Sequence, residues 1–194
     1  MTKQILVETS ARHIHVTEEA LEILCGKGYK LEVKKELSQP GMFLSTTKLN
    51  IIGPKREIDG VSILGPVRHY NQVEVSATDA RTLGADVPVR ESGDVKGSAP
   101  VKIVNPANGA TLELSEGLIV AKRHIHMAPE DAQEFGVKNG DIVKVHVNTG
   151  KGRDIIFGDT VIRVSKDFKL AMHIDTDESN AGICSGVVFG EIVK

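Results

Sequence analysis

The sequence predicts a duplicated, mainly β protein with short α-helices, built as small barrels or sandwiches. Three observations predict it. Arg12-His13-Ile14-His15 returns as Arg123-His124-Ile125-His126, each time after an apolar run. Each copy is followed by a short helical pattern that a glycine ends, Gly26 in one and Gly136 in the other. Between them lie many short apolar or alternating runs broken by Gly and Pro turns, which fit barrels or sandwiches better than a parallel sheet. At 194 residues the chain makes one ordinary domain or two small ones, and a 40% hydrophobic content supplies a core. In a duplicated β protein the natural place for an active site is between the halves.

In chain order, residues 5–16 read as one strand carrying the first histidine pair. Thr17 is the expected N-cap of a helix with Glu18 and Glu19 in its first turn. Residues 31–33 read as a strand and Ser38-Gln39-Pro40-Gly41 as a turn. From Lys48 to Val75 short strands alternate with the turns Gly53-Pro54 and Gly65-Pro66, and Gln72-Val73-Glu74-Val75 alternates like a half-buried strand. Residues 76–83 read as a helix, 87–90 and 101–104 as strands, and Asn105-Pro106-Ala107-Asn108-Gly109 as a turn. Residues 112–116 lead through Gly117 into the second histidine pair. Pro129 suits a first helical position. Residues 141–147, 155–157, 161–164, 170–174 and 187–193 read as strands, and Asp175 as the opening of a last short helix.

Composition excludes several functions. Trp is absent and aromatics are sparse, so no stacking platform for nucleic acid is expected. The net charge of −2 disfavours a general polyanion binder. No apolar run approaches the ~20 residues of a membrane helix, and no signal-peptide pattern opens the chain. Cys25 and Cys184 stand apart, as reduced cytosolic thiols do, and neither has a histidine beside it in sequence to activate it. Neither a Walker loop nor a dinucleotide glycine motif is present.

The chemistry is expected at the histidines. Four of the seven lie in the two tetrapeptides. In a strand, residues i and i+2 share a face, so His13 and His15 project together, as do His124 and His126. Two such imidazoles can grip one metal at about 2.0–2.1 Å. A catalytic zinc commonly has three protein ligands and an open position, so each pair needs one more donor. His69, His146, His173 and Glu74 are available; His146 reads as structural, in a strand without polar neighbours. Arg68 follows a Gly-Pro turn that can aim its guanidinium inward. Arg153 sits in a basic turn suited to a ligand phosphate, and Ser92 in a polar turn that can approach the site. By strand parity Arg12 and Arg123 point away from the histidines and read as structural, paired with acids.

The blocks Ser10-Ala11-Arg12-His13-Ile14-His15, Gly65-Pro66-Val67-Arg68, Gln72-Val73-Glu74-Val75-Ser76, Lys122-Arg123-His124-Ile125-His126-Met127 and Met172-His173-Ile174-Asp175-Thr176-Asp177-Glu178 together resemble the phosphate propanoyltransferases. The resemblance runs in order from Ile5 to the C-terminus. It implies two helix-capped β-barrels with an interleaved chain path: residues 1–12 with 120–194 in one, 13–119 in the other, and the active site at their interface. It implies two zinc ions, one held by His13, His15 and Glu74, the other by His124, His126 and His173. It implies Arg68 as the phosphate contact, with Arg153 and Ser92 as further substrate contacts. Family members sent to bacterial microcompartments carry an N-terminal encapsulation extension. Only residues 1–4 precede the first strand here, so the cytoplasm is the expected location rather than a microcompartment lumen. A homo-oligomer is among the assemblies the reading admits.

The implied reaction converts a short-chain acyl-CoA, propanoyl-CoA or acetyl-CoA, and phosphate reversibly to acyl phosphate and coenzyme A. Direct attack by phosphate is expected, since no nucleophile motif is visible. The rival readings are a zinc-dependent acyl-CoA thioesterase and a non-catalytic metal-binding β protein. Ligand charge alone assigns the coenzyme A sulfur to the Glu74 metal and phosphate to the all-histidine metal.

Overall fold

The computed structural model describes residues 3–193. The chain forms two compact units. One comprises Met1–Ala11, Ser38–Pro40 and Lys122–Lys194; the other comprises Arg12–Leu37 and Gly41–Ala121.

The first unit is a closed barrel. Its strands are β1 (Ile5–Thr9), β10 (His124–Met127), β11 (Ile142–Val147), β12 (Ile155–Val164), β13 (Ala171–Ile174) and β14 (Val188–Val193). They close in the order β1-β13-β10-β12-β11-β14. Two short helices belong to it, α3 (Pro129–Phe135) and α4 (Thr176–Gly182). Its core includes Ile5, Val7, Ile125, Met127, Val145, Ile162 and Met172. The segment Ser38–Pro40 is held to this unit by Gln39, whose Nε2 donates to Lys169 O at 2.9 Å and whose Oε1 accepts from Lys169 N at 3.1 Å.

The second unit contains β2 (His13–His15), β3 (Val33–Glu36), β4 (Phe43–Ile52), β5 (Glu57–Gly65), β6 (Gln72–Val75), β7 (Val89–Arg90), β8 (Ala99–Val104) and β9 (Thr111–Ala121), with α1 (Glu18–Cys25) and α2 (Ala77–Leu83). Six of these strands close a barrel, because β8 pairs with both β4 and β9. β3 and β7 are appended to β4 and β9. Ile14, Ile51, Ile63, Val73 and Leu118 fill its core.

The two barrels repeat one pairing scheme. β2 runs parallel to β5 and antiparallel to β6; β10 runs parallel to β12 and antiparallel to β13. β9 lies parallel to β6 in one barrel, and the N-terminal β1 lies parallel to β13 in the other. The chain path is therefore interleaved: the N-terminal strand completes the barrel of the C-terminal half. Among the described residues no helix is long and apolar enough to cross a membrane.

Several expected boundaries change. Residues 5–16 are two strands, β1 and β2, separated at Ser10–Arg12 where the chain passes from one barrel to the other. The runs expected at 112–116 and 118–121 are one strand, β9, bent at Gly117 (φ 131°). The runs at 155–157 and 161–164 are likewise one strand, β12. Thr17 Oγ1 accepts from Ala20 N as the expected N-cap, Pro129 starts α3 and Asp175 opens α4 as its N-cap, whereas Ser76, expected as the first residue of a helix, is the N-cap of α2.

Candidate metal centres

In the second barrel, antiparallel pairing puts Glu74 directly opposite His13. Ile14 turns into the core at 0% exposure, which directs His13 and His15 together to the other face. Both histidines and Glu74 are buried. His13 Nε2 lies 3.2 Å from His15 Nε2 and 3.4 Å from Glu74 Oε2, and His15 Nε2 lies 3.9 Å from Glu74 Oε1. Three donors around a tetrahedral ion with bonds of about 2.0–2.1 Å stand about 3.3 Å apart. The triad is thus close to that geometry.

Its electrostatics match. His15 Nδ1 faces Leu64 O at 3.3 Å, which turns Nε2 toward the other donors. Burial first, then the His13 and Arg68 charges, push the His15 pKa down to about 3. Burial alone would keep Glu74 protonated; the His13 charge and hydrogen bond, then His15 and Ser92, outweigh it and hold the carboxyl well below its usual range. His15, kept neutral, and Glu74, kept ionised, are each in the protonation state a metal requires.

Gln72, which the sequence reading passed over, supports this triad. Its Nε2 donates to Glu74 Oε1 at 2.7 Å and to Ser92 Oγ at 2.9 Å, and its Oε1 accepts from Gly93 N at 2.8 Å. Ser92 is thereby linked to Glu74. The available signal was parity: Gln72 and Glu74 share a strand face. Arg68 also stands at this triad. Its backbone N donates to Val16 O at 2.8 Å, next to His15, and its guanidinium donates to Tyr70 Oη at 2.8 Å and to Met42 Sδ at 3.5 Å. The turn before it requires Gly65, where a Cβ would lie 2.2 Å from Phe43 Cζ.

In the first barrel, His124 stands opposite His173 in the same register. Ile125 is again fully buried. The His124 and His126 ring centroids are 4.6 Å apart, His124 and His173 5.2 Å, His126 and His173 4.9 Å. One nitrogen from each ring falls within 4.8 Å of the others. His124 Nδ1 meets Lys122 O at 2.9 Å, leaving Nε2 as the donor for a metal. His173 Nδ1 faces Glu8 Oε2 at 3.8 Å. The Phe168 ring lies 4.0 Å from the His126 ring, tilted by 34°.

The remaining candidates lie elsewhere. His69 and Arg153 are exposed. His146 corrects the expectation of a strand residue without polar neighbours: its Nε2 meets Asp154 Oδ1 at 2.5 Å. Cys25 and Cys184 are free, and burial pushes both thiols up, away from the thiolate a nucleophile needs.

The phosphate propanoyltransferase family model matches residues 6–185. Among curated proteins, the chain is 50% identical over 179 residues to a phosphate propanoyltransferase of Thermotoga maritima, covering 92% of this chain and 84% of the relative. It is 52% identical over 188 residues to one of Lachnoclostridium phytofermentans, covering 96% and 84%. To one of Listeria monocytogenes it is 46% identical over 188 residues, covering 97% and 86%.

Proposed function

Because the chain belongs to the phosphate propanoyltransferase family, a family of acyltransferases, we propose that it is a zinc-dependent phosphotransacylase acting on a short-chain acyl-CoA, propanoyl-CoA or acetyl-CoA. The observation that carries this reading is the pair of donor triads, one buried and flanked by Arg68, the other half-buried. His13, His15 and Glu74 would hold one zinc; His124, His126 and His173 would hold the second. A zinc ion so held supplies Lewis acidity and affinity for phosphate oxygen and thiolate sulfur.

The chain's own residues do the positioning. Arg68 binds phosphate through its guanidinium, with Tyr70 and Met42 fixing the plane of the fork. A phosphate oxygen attacks the thioester carbonyl, the new C–O bond forms, and the C–S bond breaks to release coenzyme A as thiolate. Orientation by Arg68 lowers the entropy cost of that encounter. Gln72 and Ser92 keep the Glu74 carboxylate directed at the histidines. Phe168 covers one face of His126 and limits water there.

The location of Arg68 supports the opposite assignment to the one drawn from ligand charge alone. Arg68 offsets the Glu74 charge and favours phosphate at that triad. The uncharged histidine triad leaves its ion at full charge, which favours the anionic sulfur of coenzyme A. Substrate contacts at Arg153 and Ser92 remain part of the proposal, with Ser92 held by Gln72. Exposed Arg153 is offered for the coenzyme A phosphates.

The deciding experiment measures free thiol release from acyl-CoA with and without phosphate. Phosphate-dependent release, with acyl phosphate formed in equal amount, is expected. Release that persists without phosphate identifies a thioesterase, and no release identifies a non-catalytic metal protein.

A further inference from the structure

The repeated tetrapeptide includes its arginine, and both arginines meet the same kind of partner. Arg12 Nη1 lies 2.9 Å from Asp79 Oδ1, and Arg123 Nε lies 2.6 Å from Glu178 Oε1. Each acid is the third residue of a short helix and also receives the backbone N–H of that helix's N-cap. Asp79 Oδ2 accepts from Ser76 N at 3.5 Å, and Glu178 Oε2 accepts from Asp175 N at 2.9 Å. Each cap lies two residues beyond a third donor, Ser76 after Glu74 and Asp175 after His173.

We infer that Arg12 and Arg123 are positioning residues, each clamping its His-x-His strand to the helix cap behind the third metal ligand. The inference rests on reading the triads as metal sites. Strand pairing alone holds these donors weakly: β2 has three residues, and β6, β10 and β13 have four each. Strands so short have few ladder bonds to resist slippage. A charge-assisted hydrogen bond between a guanidinium and a mostly buried carboxylate is shorter and stronger than a neutral one. Asp79 and Glu178 are 12% and 18% exposed, so solvent screens the pairs less than it would on the surface. Each acts through the chain: it fixes the residue before the histidines against the acid that fixes the cap after the third donor. Arg123 has an additional hold, Nη1 donating to Gly158 O at 3.0 Å.

The test uses the full chain loaded with zinc and challenged with a chelator of graded strength. Arg12→Ala should loosen one ion per chain about 10–100-fold while leaving the other at wild-type affinity; Arg123→Ala should loosen the other ion by a similar factor. Arg12→Lys should restore most of the loss, since one contact is involved, and Arg123→Lys only part of it. Cobalt-loaded variants should show altered absorption from one site only. Asp79→Asn and Glu178→Gln repeat the test with milder changes should an arginine variant not fold. Folded variants that hold both ions with wild-type affinity would overturn the inference, leaving the pairs as helix-capping contacts alone. A wild-type protein that binds no metal would instead overturn the reading of the triads.

Discussion

Glu74 and His173 occupy the same position in the two barrels. Each stands opposite the first histidine of a His-x-His strand, Glu74 across from His13 and His173 across from His124. Each also precedes by two residues the N-cap of a short helix. The duplicated scaffold thus presents a carboxylate in one triad and an imidazole in the other, and the two sites differ in charge by one unit.

Two zinc ions per chain are expected when both triads are filled. His13→Ala should remove one and His124→Ala the other, as read by elemental analysis of the purified variants, and either should abolish phosphate-dependent thiol release. Full activity in protein stripped of transition metals would contradict this.

Arg68→Ala should raise the apparent KM for phosphate by about 10–100-fold, the range for a lost hydrogen bond to a charged group. The KM for acyl-CoA should change far less. Lys should rescue poorly, because it lacks the planar fork that Tyr70 and Met42 hold. Equal loss toward both substrates would count against the phosphate assignment.

The charge difference between the triads predicts where the thiol binds. In cobalt-substituted protein, coenzyme A should produce a thiolate-to-metal charge-transfer band that survives His13→Ala and disappears in His173→Ala. A band that instead depends on His13 would return the sulfur to the Glu74 triad.

His15 makes the metal-free protein acid-sensitive. Its pKa falls from 6.5 to about 3 in the folded state, chiefly by burial. The unfolded chain therefore binds a proton first as pH falls, and folding stability declines as pH drops from 6.5 toward 3. Between pH 6.5 and 5, before ordinary carboxylates titrate, the slope should be on the order of 1 kcal/mol per pH unit. Denaturant melts of metal-free protein should show that slope, and His15→Gln should flatten it. An unchanged slope would mean that His15 is not the responsible group.

Gly65→Ala should destabilise the second barrel by about 1–3 kcal/mol, as overpacking does. Its added Cβ meets the Phe43 ring. Phe43→Leu should recover part of the loss, read as melting temperature, and the single variant should also weaken phosphate binding because the turn carries Arg68. A Gly65→Ala protein as stable as wild type would show that the ring moves aside freely.

What the sequence determined by itself is what depends on near neighbours. The shared face of His13 and His15 follows from strand parity around Ile14, and the helix starts at Thr17, Pro129 and Asp175 follow from local backbone preferences. The family pattern carried the rest of the donor set, since residue chemistry alone left His69, His146, His173 and Glu74 open. Only the tertiary structure decided which strand each histidine pair faces. Cross-strand register is a long-range choice, set by the hydrogen-bond ladder and the buried faces of whole barrels. The same holds for the break at Ser10–Arg12, invisible in an unbroken β pattern because it marks a change of sheet rather than of local preference. His146 found Asp154 across a hairpin, and Arg68 came to lie beside His15 through a turn closed on Val16. The first needs only the β11–β12 hairpin to form; the second joins residues distant in sequence, and its free energy exists only once the second barrel has closed.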